Sequence, residues 1–164
     1  MIESKPLKRA PALIQFSKDH HFSLLLAWKI RQGMRLGISA QRIADYINFF
    51  FETYLNDHFK EEEELLFTGL DEHDDLRLSA EQDHRDLHAM NEEIKLQPGE
   101  SLLTKFADRL EQHIRFEERF LFAHLQSSLQ EHQLNSILEK MEALHPAQKE
   151  DDWKDTFWTR KNGL

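Results

Sequence analysis

The sequence predicts an all-α fold: an up-down antiparallel four-helix bundle with an additional C-terminal helix and tail. Three observations lead there. Apolar residues recur at helical spacing almost throughout, no segment alternates as a strand does, and the periodic segments are joined by short connections. A chain of 164 residues is expected to form one domain with a real hydrophobic core. It divides into an irregular lead-in at 1–11, the bundle at 12–130, and a C-terminal helix and tail at 131–164 packed on the bundle.

Pro6 and Pro11 mark the lead-in. The first helix runs from about Ala12 to the mid-thirties, with Leu13, Phe16, His20, Leu24 and Ala27 on one stripe. Gly33 and Gly37 loosen its end. Ser39 is the expected N-cap of a long second helix reaching about Phe67. Its inward stripe is Ile43, Ile47, Phe50, Tyr54, His58, Glu62 and Leu65, and Thr68-Gly69 ends it. A third helix starts near Asp71 or Asp74 and ends at Leu96, with Leu76, Ala80, His84, Leu87, His88 and Ile94 inward. Pro98-Gly99 is a turn. The fourth helix covers about Glu100 to Leu129, with Leu103, Phe106, Leu110, His113, Glu117, Phe120 and His124 facing in. A further helix spans Glu131 to Leu144 and stops before Pro146. The tail, carrying Trp153, Phe157 and Trp158, is expected to pack as a short helix on the exterior.

Composition narrows the function. Thirty acidic against twenty-one basic residues give a net charge of −9, which disfavours nucleic acid and anionic membranes as partners. There is no cysteine, hence no disulfide, no thiolate-bound zinc and no iron–sulfur cluster. The longest apolar run, Leu24 to Trp28, is too short for a membrane helix, and no signal region is evident, so a cytoplasmic location is expected. Ten histidines remain to be explained.

A phrase occurs twice in the chain. His58-Phe-Lys-Glu-Glu62 leads to Leu66-Phe67, and His113-Ile-Arg-Phe-Glu117 leads to Leu121-Phe122. Asp19-His20 precedes the first copy and Asp83-His84 the second. The spacing of four puts both side chains of His-x-x-x-Glu on one helix face, and His84 and His88 share that spacing. These residues lie on apolar stripes, where an unpartnered carboxylate costs several kcal/mol or takes up a proton. A cluster of cations removes that penalty. The heights agree as well. His84 lies twelve residues before Leu96 and His113 thirteen after Glu100, so both stand roughly 18–20 Å from the same turn. A single His-x-x-x-Glu is usually an accidental surface pair; two copies on inward stripes, each with an upstream Asp-His, reverse that expectation.

These phrases resemble the hemerythrin-like, or HHE cation-binding, domains, and the resemblance covers roughly Phe16 to Ser127. It implies the metal ligands His20, His58, Glu62, His84, His88, His113 and Glu117. It further implies two iron ions bridged by Glu62, Glu117 and a solvent oxygen, one held by His84, His88 and His113, the other by His20 and His58. Oxygen-carrying members separate the last histidine from its bridging aspartate by five residues, whereas here the gap is four and the residue is Glu117. Thr68 and Ala123 stand where a proline often follows Leu-Phe. Counting ligands on octahedral irons leaves an open position at the two-histidine ion, and at both ions if His88 is not a ligand. The same cage fits zinc or manganese.

Other residues take plainer readings. His88 also suits a core histidine, and His21 is an alternative to His20 on a poorer stripe. His73, His124, His132 and His145 read as structural or exposed, and Glu63 and Glu118 as surface groups, with a role as acceptors for the ligands the alternative. Phe59 and Phe116 are placed to exclude water from the site, and Tyr54 as packing or as a donor to bound oxygen. The leading expectation is binding or sensing of dioxygen, nitric oxide or iron, not turnover. The rivals are a di-iron enzyme acting on peroxide or nitric oxide or delivering iron for cluster repair, and a zinc-closed interaction module.

Overall fold

The computed structural model describes residues 8–144 and 149–160. Residues 1–7 of the lead-in, His145 and the stop at Pro146 lie outside them. Among the described residues the chain is helical, without strands, and no helix is long and apolar enough to cross a membrane.

Helix α1 spans Pro11–Arg35, with a proline in its first turn where no amide partner is needed. It ends in a Schellman arrangement. The Ile38 amide donates to the Gly33 carbonyl at 3.0 Å and the Gly37 amide to Met34 at 3.1 Å. Gly37 holds φ +73°, the left-handed conformation that favours glycine. Gly33 has another task. A β-carbon there would stand 2.7 Å from the Phe157 ring. Gly33→Ala is therefore expected to displace Phe157 and destabilise the protein by about 1–3 kcal/mol. That loss is read as a lower melting temperature of the chelator-treated protein.

Ser39 caps α2 (Ala40–Phe50), accepting from the Arg42 amide at 3.3 Å. The rod continues through a π-helical turn at Phe51–Leu55, helix α3 (Asn56–Glu61), a second π turn at Glu62–Leu66 and a 3-10 turn at Phe67–Gly69. Asp74 caps α4 (Asp75–Leu96), accepting from the Leu76 and Arg77 amides at 3.1 and 3.0 Å. After Pro98-Gly99 come α5 (Glu100–Phe116), a third π turn at Glu117–Leu121, and α6 (Phe122–Ser128). Helix α7 covers Glu131–Leu144.

The π turns correct the sequence reading. Each holds one residue more than an α turn, which rotates the following stripe by about 100°. Continued at 3.6 residues per turn, α5 would turn Phe120 and His124 inward. Instead Phe120 is exposed, and Leu121, Phe122 and Leu125 are buried. In the second rod Leu66 and Phe67 take the place expected of Leu65, while Phe51 and Leu55 are buried beside only half-buried Tyr54.

Helix α1 packs on α2, α5 and α7; α4 packs on α2 and α5. Two apolar clusters form the core. One gathers Leu26, Phe51, Phe59, Leu87, Leu110 and Ile114; the other gathers Phe16, Leu66, Phe67, Ala80, Leu121 and Phe122. Along every rod the buried histidines and glutamates fall between residues of one cluster and residues of the other. A polar belt thus divides two greasy halves.

Residues 149–160 pack on the first cluster through Phe157, Trp153 and Trp158 but form no helix, contrary to expectation. Asp151 Oδ1 accepts from the Trp153 amide at 3.0 Å, an Asx turn that competes with helical bonding. Side chains anchor the segment. Buried Lys29 donates to the Tyr46 hydroxyl at 3.0 Å and lies 4.0 Å over the Trp158 ring. The Tyr46 hydroxyl donates to Asp151 at 2.6 Å, and Arg42 forks onto Asp155 at 2.6 and 2.9 Å.

Candidate metal centre

Six of the seven sequence-derived ligands meet in the polar belt. His20 comes from α1, His58 from α3, His84 from α4 and His113 from α5. Glu62 and Glu117 each occupy the first position of a π turn. The α-helical turn before each π turn puts the glutamate on its histidine's face, and the π turn shifts the register of the residues that follow. The His-x-x-x-Glu pairs close to 3.3 Å for His58 Nε2 with Glu62 Oε1 and 2.5 Å for His113 Nε2 with Glu117 Oε1.

The ligands form two overlapping groups. His20, His58, Glu62 and Glu117 make one; His84, His113, Glu62 and Glu117 make the other. In each group the candidate donor atoms all lie within 4.8 Å of one another. Both glutamates therefore belong to both groups. His20 Nε2 stands 3.5 Å from Glu62 Oε2 and 3.6 Å from Glu117 Oε1, and His84 Nε2 stands 3.3 Å from Glu62 Oε1. The Nε2 atoms of His84 and His113 face each other at 3.1 Å, in line with the common height expected of them.

Outside each imidazole, a carboxylate stands on Nδ1. His20 Nδ1 donates to Glu118 Oε1 at 2.7 Å, and His113 Nδ1 donates to Asp83 Oδ2 at 2.9 Å. Asp19 lies 3.6 Å from His58 Nδ1 and Glu63 lies 3.8 Å from His84 Nδ1, within ion-pair range. Arg9 holds Glu118 at 3.0 Å and Arg109 holds Asp83 at 2.8 Å. The pattern obeys the duplication. Each Asp of an Asp-His pair serves the later histidine of its own copy. Each Glu that follows a shared glutamate serves the first histidine of the other copy. A proton on Nδ1 leaves the Nε2 lone pair for a cation.

This outer ring corrects the reading of Glu118 as a surface group: it is half-buried and bonded to a candidate ligand. The sequence held a signal for it, since both shared glutamates are followed by a second glutamate. Neither Arg9 nor Arg109 carried one. His88 is exposed, lies outside both groups, and meets the edge of Phe51 at 4.8 Å between centroids. The other described histidines lie outside both groups. His21, His73 and His132 are exposed, while His124 bonds the helix-capping Asp74 at 2.6 Å.

Electrostatics show what the pocket wants. Both oxygens of Glu62 and of Glu117, both ring nitrogens of His58 and Nε2 of His20 are buried without a hydrogen-bond partner. So many buried donor atoms converging on one place fit cations and fit nothing apolar. Burial opposes charge on His58 and His113. The facing Glu62 and Asp19 push His58 up to about 9, and Glu117 and Asp83 push His113 up to about 10. Burial is likewise outweighed at His20, raised well above the ordinary value by Glu117, Glu118 and Glu62, and at His84, raised by Glu62 and Glu63. Burial also works against a charged Glu62, but His58, His20 and His84 hold its carboxyl well below the ordinary carboxylate range. The acids that face the imidazoles thus favour their protonated form.

Phenylalanines wall it. Phe59 stacks on His84 at 4.0 Å, and Phe122 stacks on His20 at 5.3 Å. Phe116 instead contacts Phe120 at 6.2 Å and is half-buried. Asp83→Asn and Glu118→Gln are each expected to weaken cation affinity about 10–100-fold, because the imidazole loses its orienting acceptor. Competition against a chromophoric chelator measures this.

The family model of the hemerythrin HHE cation binding domain matches residues 15–125. No curated protein and no solved structure matches the chain.

Proposed function

From the premise that this chain belongs to the hemerythrin HHE cation-binding domain family, we propose that it binds two iron ions at one centre and uses them to capture or sense dioxygen, nitric oxide or iron. The frame of this reading is an up-down antiparallel bundle of four rods, supported by the short connections and by the pairing of α1 and α4 with the same neighbours. The single observation that carries it is the membership of Glu62 and Glu117 in both donor groups.

His20 and His58 would hold one ion, His84 and His113 the other, with Glu62 and Glu117 shared. Two imidazoles and two shared carboxylates do not fill an octahedral ion, so each keeps room for solvent or a small ligand. With His88 outside, the two halves are alike, unlike the three-and-two division of the oxygen carriers. When bound, a pair of redox-active ions supplies two electrons to a diatomic ligand. The protein's own residues do the rest. Asp83 and Glu118 fix the imidazole tautomers, Phe59 and Phe122 keep bulk water out, and the raised imidazoles release their protons as cations enter. Zinc or manganese is accommodated by the same donor set.

Metal analysis of protein purified from its native host, followed by optical spectra taken under argon and then in air, tests the reading. A band that appears with oxygen and disappears on its removal supports capture or sensing. Rapid irreversible bleaching with consumption of peroxide would shift the reading to an enzyme, and colourless protein with tightly held zinc to a structural module.

A further inference from the structure

One wall of the centre opens outward. Beside His58 lies a solvent-open recess of about 340 Å³, lined by Asp19, Thr53, Tyr54, Asp57, His58 and Glu61, with Leu144 of α7 among its lining residues. Among the described residues, the charge-bearing groups that line it apart from His58 are Asp19, Asp57 and Glu61, all acidic. His58 itself is 5% exposed, the most exposed of the four clustered imidazoles, and neither of its ring nitrogens has a hydrogen-bond partner. Its Nε2 lies 3.3 Å from shared Glu62. One side chain therefore belongs both to the recess and to the donor cluster behind it. Elsewhere aromatic rings cover the imidazoles: Phe59 and Phe67 stack on His84, and Phe122 stacks on His20.

We propose that this recess is the entrance and staging site for hydrated divalent cations, with Asp57 and Glu61 holding the hydrated ion at the mouth and His58 taking it inward. This rests on the metal-centre reading and adds a route to it. The size is right: six waters at about 30 Å³ each occupy roughly 180 Å³, within the recess. The chemistry is right as well. An acidic mouth with low-dielectric walls concentrates cations and repels anions, and acids at hydrogen-bonding distance grip an aquo ion through its water before any ligand exchange. Asp19 couples the two stages, since its Oδ2 stands 3.6 Å from His58 Nδ1 while its Oδ1 accepts from Gln15 at 3.1 Å. The ion arrives at the His20–His58 half first and reaches the His84–His113 half through the shared carboxylates.

The test is stopped-flow uptake of cobalt(II) chloride by the metal-free full chain, read from the cobalt absorbance and normalised to cobalt held at completion. At about 10 mM ionic strength, where the Debye length is about 30 Å, the double variant Asp57→Asn/Glu61→Gln is expected to fill about tenfold more slowly than wild type. Raising the salt should shrink that difference. The control Asp45→Asn/Glu93→Gln removes the same charge from two exposed acids outside the recess, and should fill at the wild-type rate. Equal rates for wild type and the recess variant, or equal slowing in both double variants, overturns the entrance while leaving the centre intact. A wild-type protein that takes up no cobalt overturns the centre and the entrance together.

Discussion

Glu62→Ala and Glu117→Ala are each expected to abolish paired-metal loading, taking the protein from two ions per chain to one weakly held ion or none. The size of the effect follows from the sharing. Each carboxylate is a member of both donor groups, so on the proposed reading one substitution would remove a charged ligand from each ion at once. It would also remove one of the two shared anions that offset repulsion between neighbouring cations. A histidine is different. His84→Ala strips one group only and should leave the His20–His58 half able to hold an ion. His88→Ala should leave loading within about twofold of wild type, because an exposed ring outside both groups contributes no donor atom. Plasma mass spectrometry of desalted protein counts the ions. Two ions per chain retained in both glutamate variants would refute the bridging roles, and a large loss in His88→Ala would restore that residue to the ligand set.

Removing the metal is expected to lower the melting temperature and to reverse how stability responds to pH. Free cation at 1,000 times its dissociation constant stabilises the folded state by about 4 kcal/mol. At about 2–4 °C per kcal/mol for a chain of this size, that is roughly 8–16 °C. In the metal-free protein the imidazoles have raised folded-state values. Their contribution is complete below the ordinary 6.5 and is lost as pH climbs through the folded values, about 9 for His58 and about 10 for His113. Glu62 has the opposite sign. Its folded value lies well below the ordinary 4.5, so its contribution is present above 4.5 and lost as pH falls through the folded value. Metal-free protein should therefore melt highest between these two ordinary values and less well above them. The loaded protein requires neutral imidazoles, so its stability rises over the range in which the metal-free form declines. Scanning fluorimetry from pH 5 to 9, with and without chelator, reads both curves. A gap that stays constant across that range would show that the imidazoles do not exchange protons for cations.

Much of the molecule was legible beforehand because it is local. Ser39 and Asp74 announced the caps they provide, Pro98-Gly99 marked a turn, and period 3.6 placed the rods within a few residues. Six polar residues on apolar stripes stood out because a buried carboxylate needs a partner. The errors share a cause. Phe120, His124, Tyr54 and Leu65 were turned inward by an unbroken helical period, and the π turns at Phe51–Leu55, Glu62–Leu66 and Glu117–Leu121 broke that period. A π turn has no residue signature of its own; packing on both sides of the belt sustains it. The tail failed for another reason, since Asp151 captured a backbone amide that a helix would have used.

The sequence by itself determined the helical class, the duplicated phrase and the six candidate donors, because spacing along one rod decides what shares a face. Tertiary structure alone decided that Asp19 serves His58 and not its neighbour His20, that Glu118 reaches across to the other copy, and that His88 turns to solvent. Those outcomes depend on how the rods are rotated and set against one another. That is fixed by side chains packing across distances no local pattern spans.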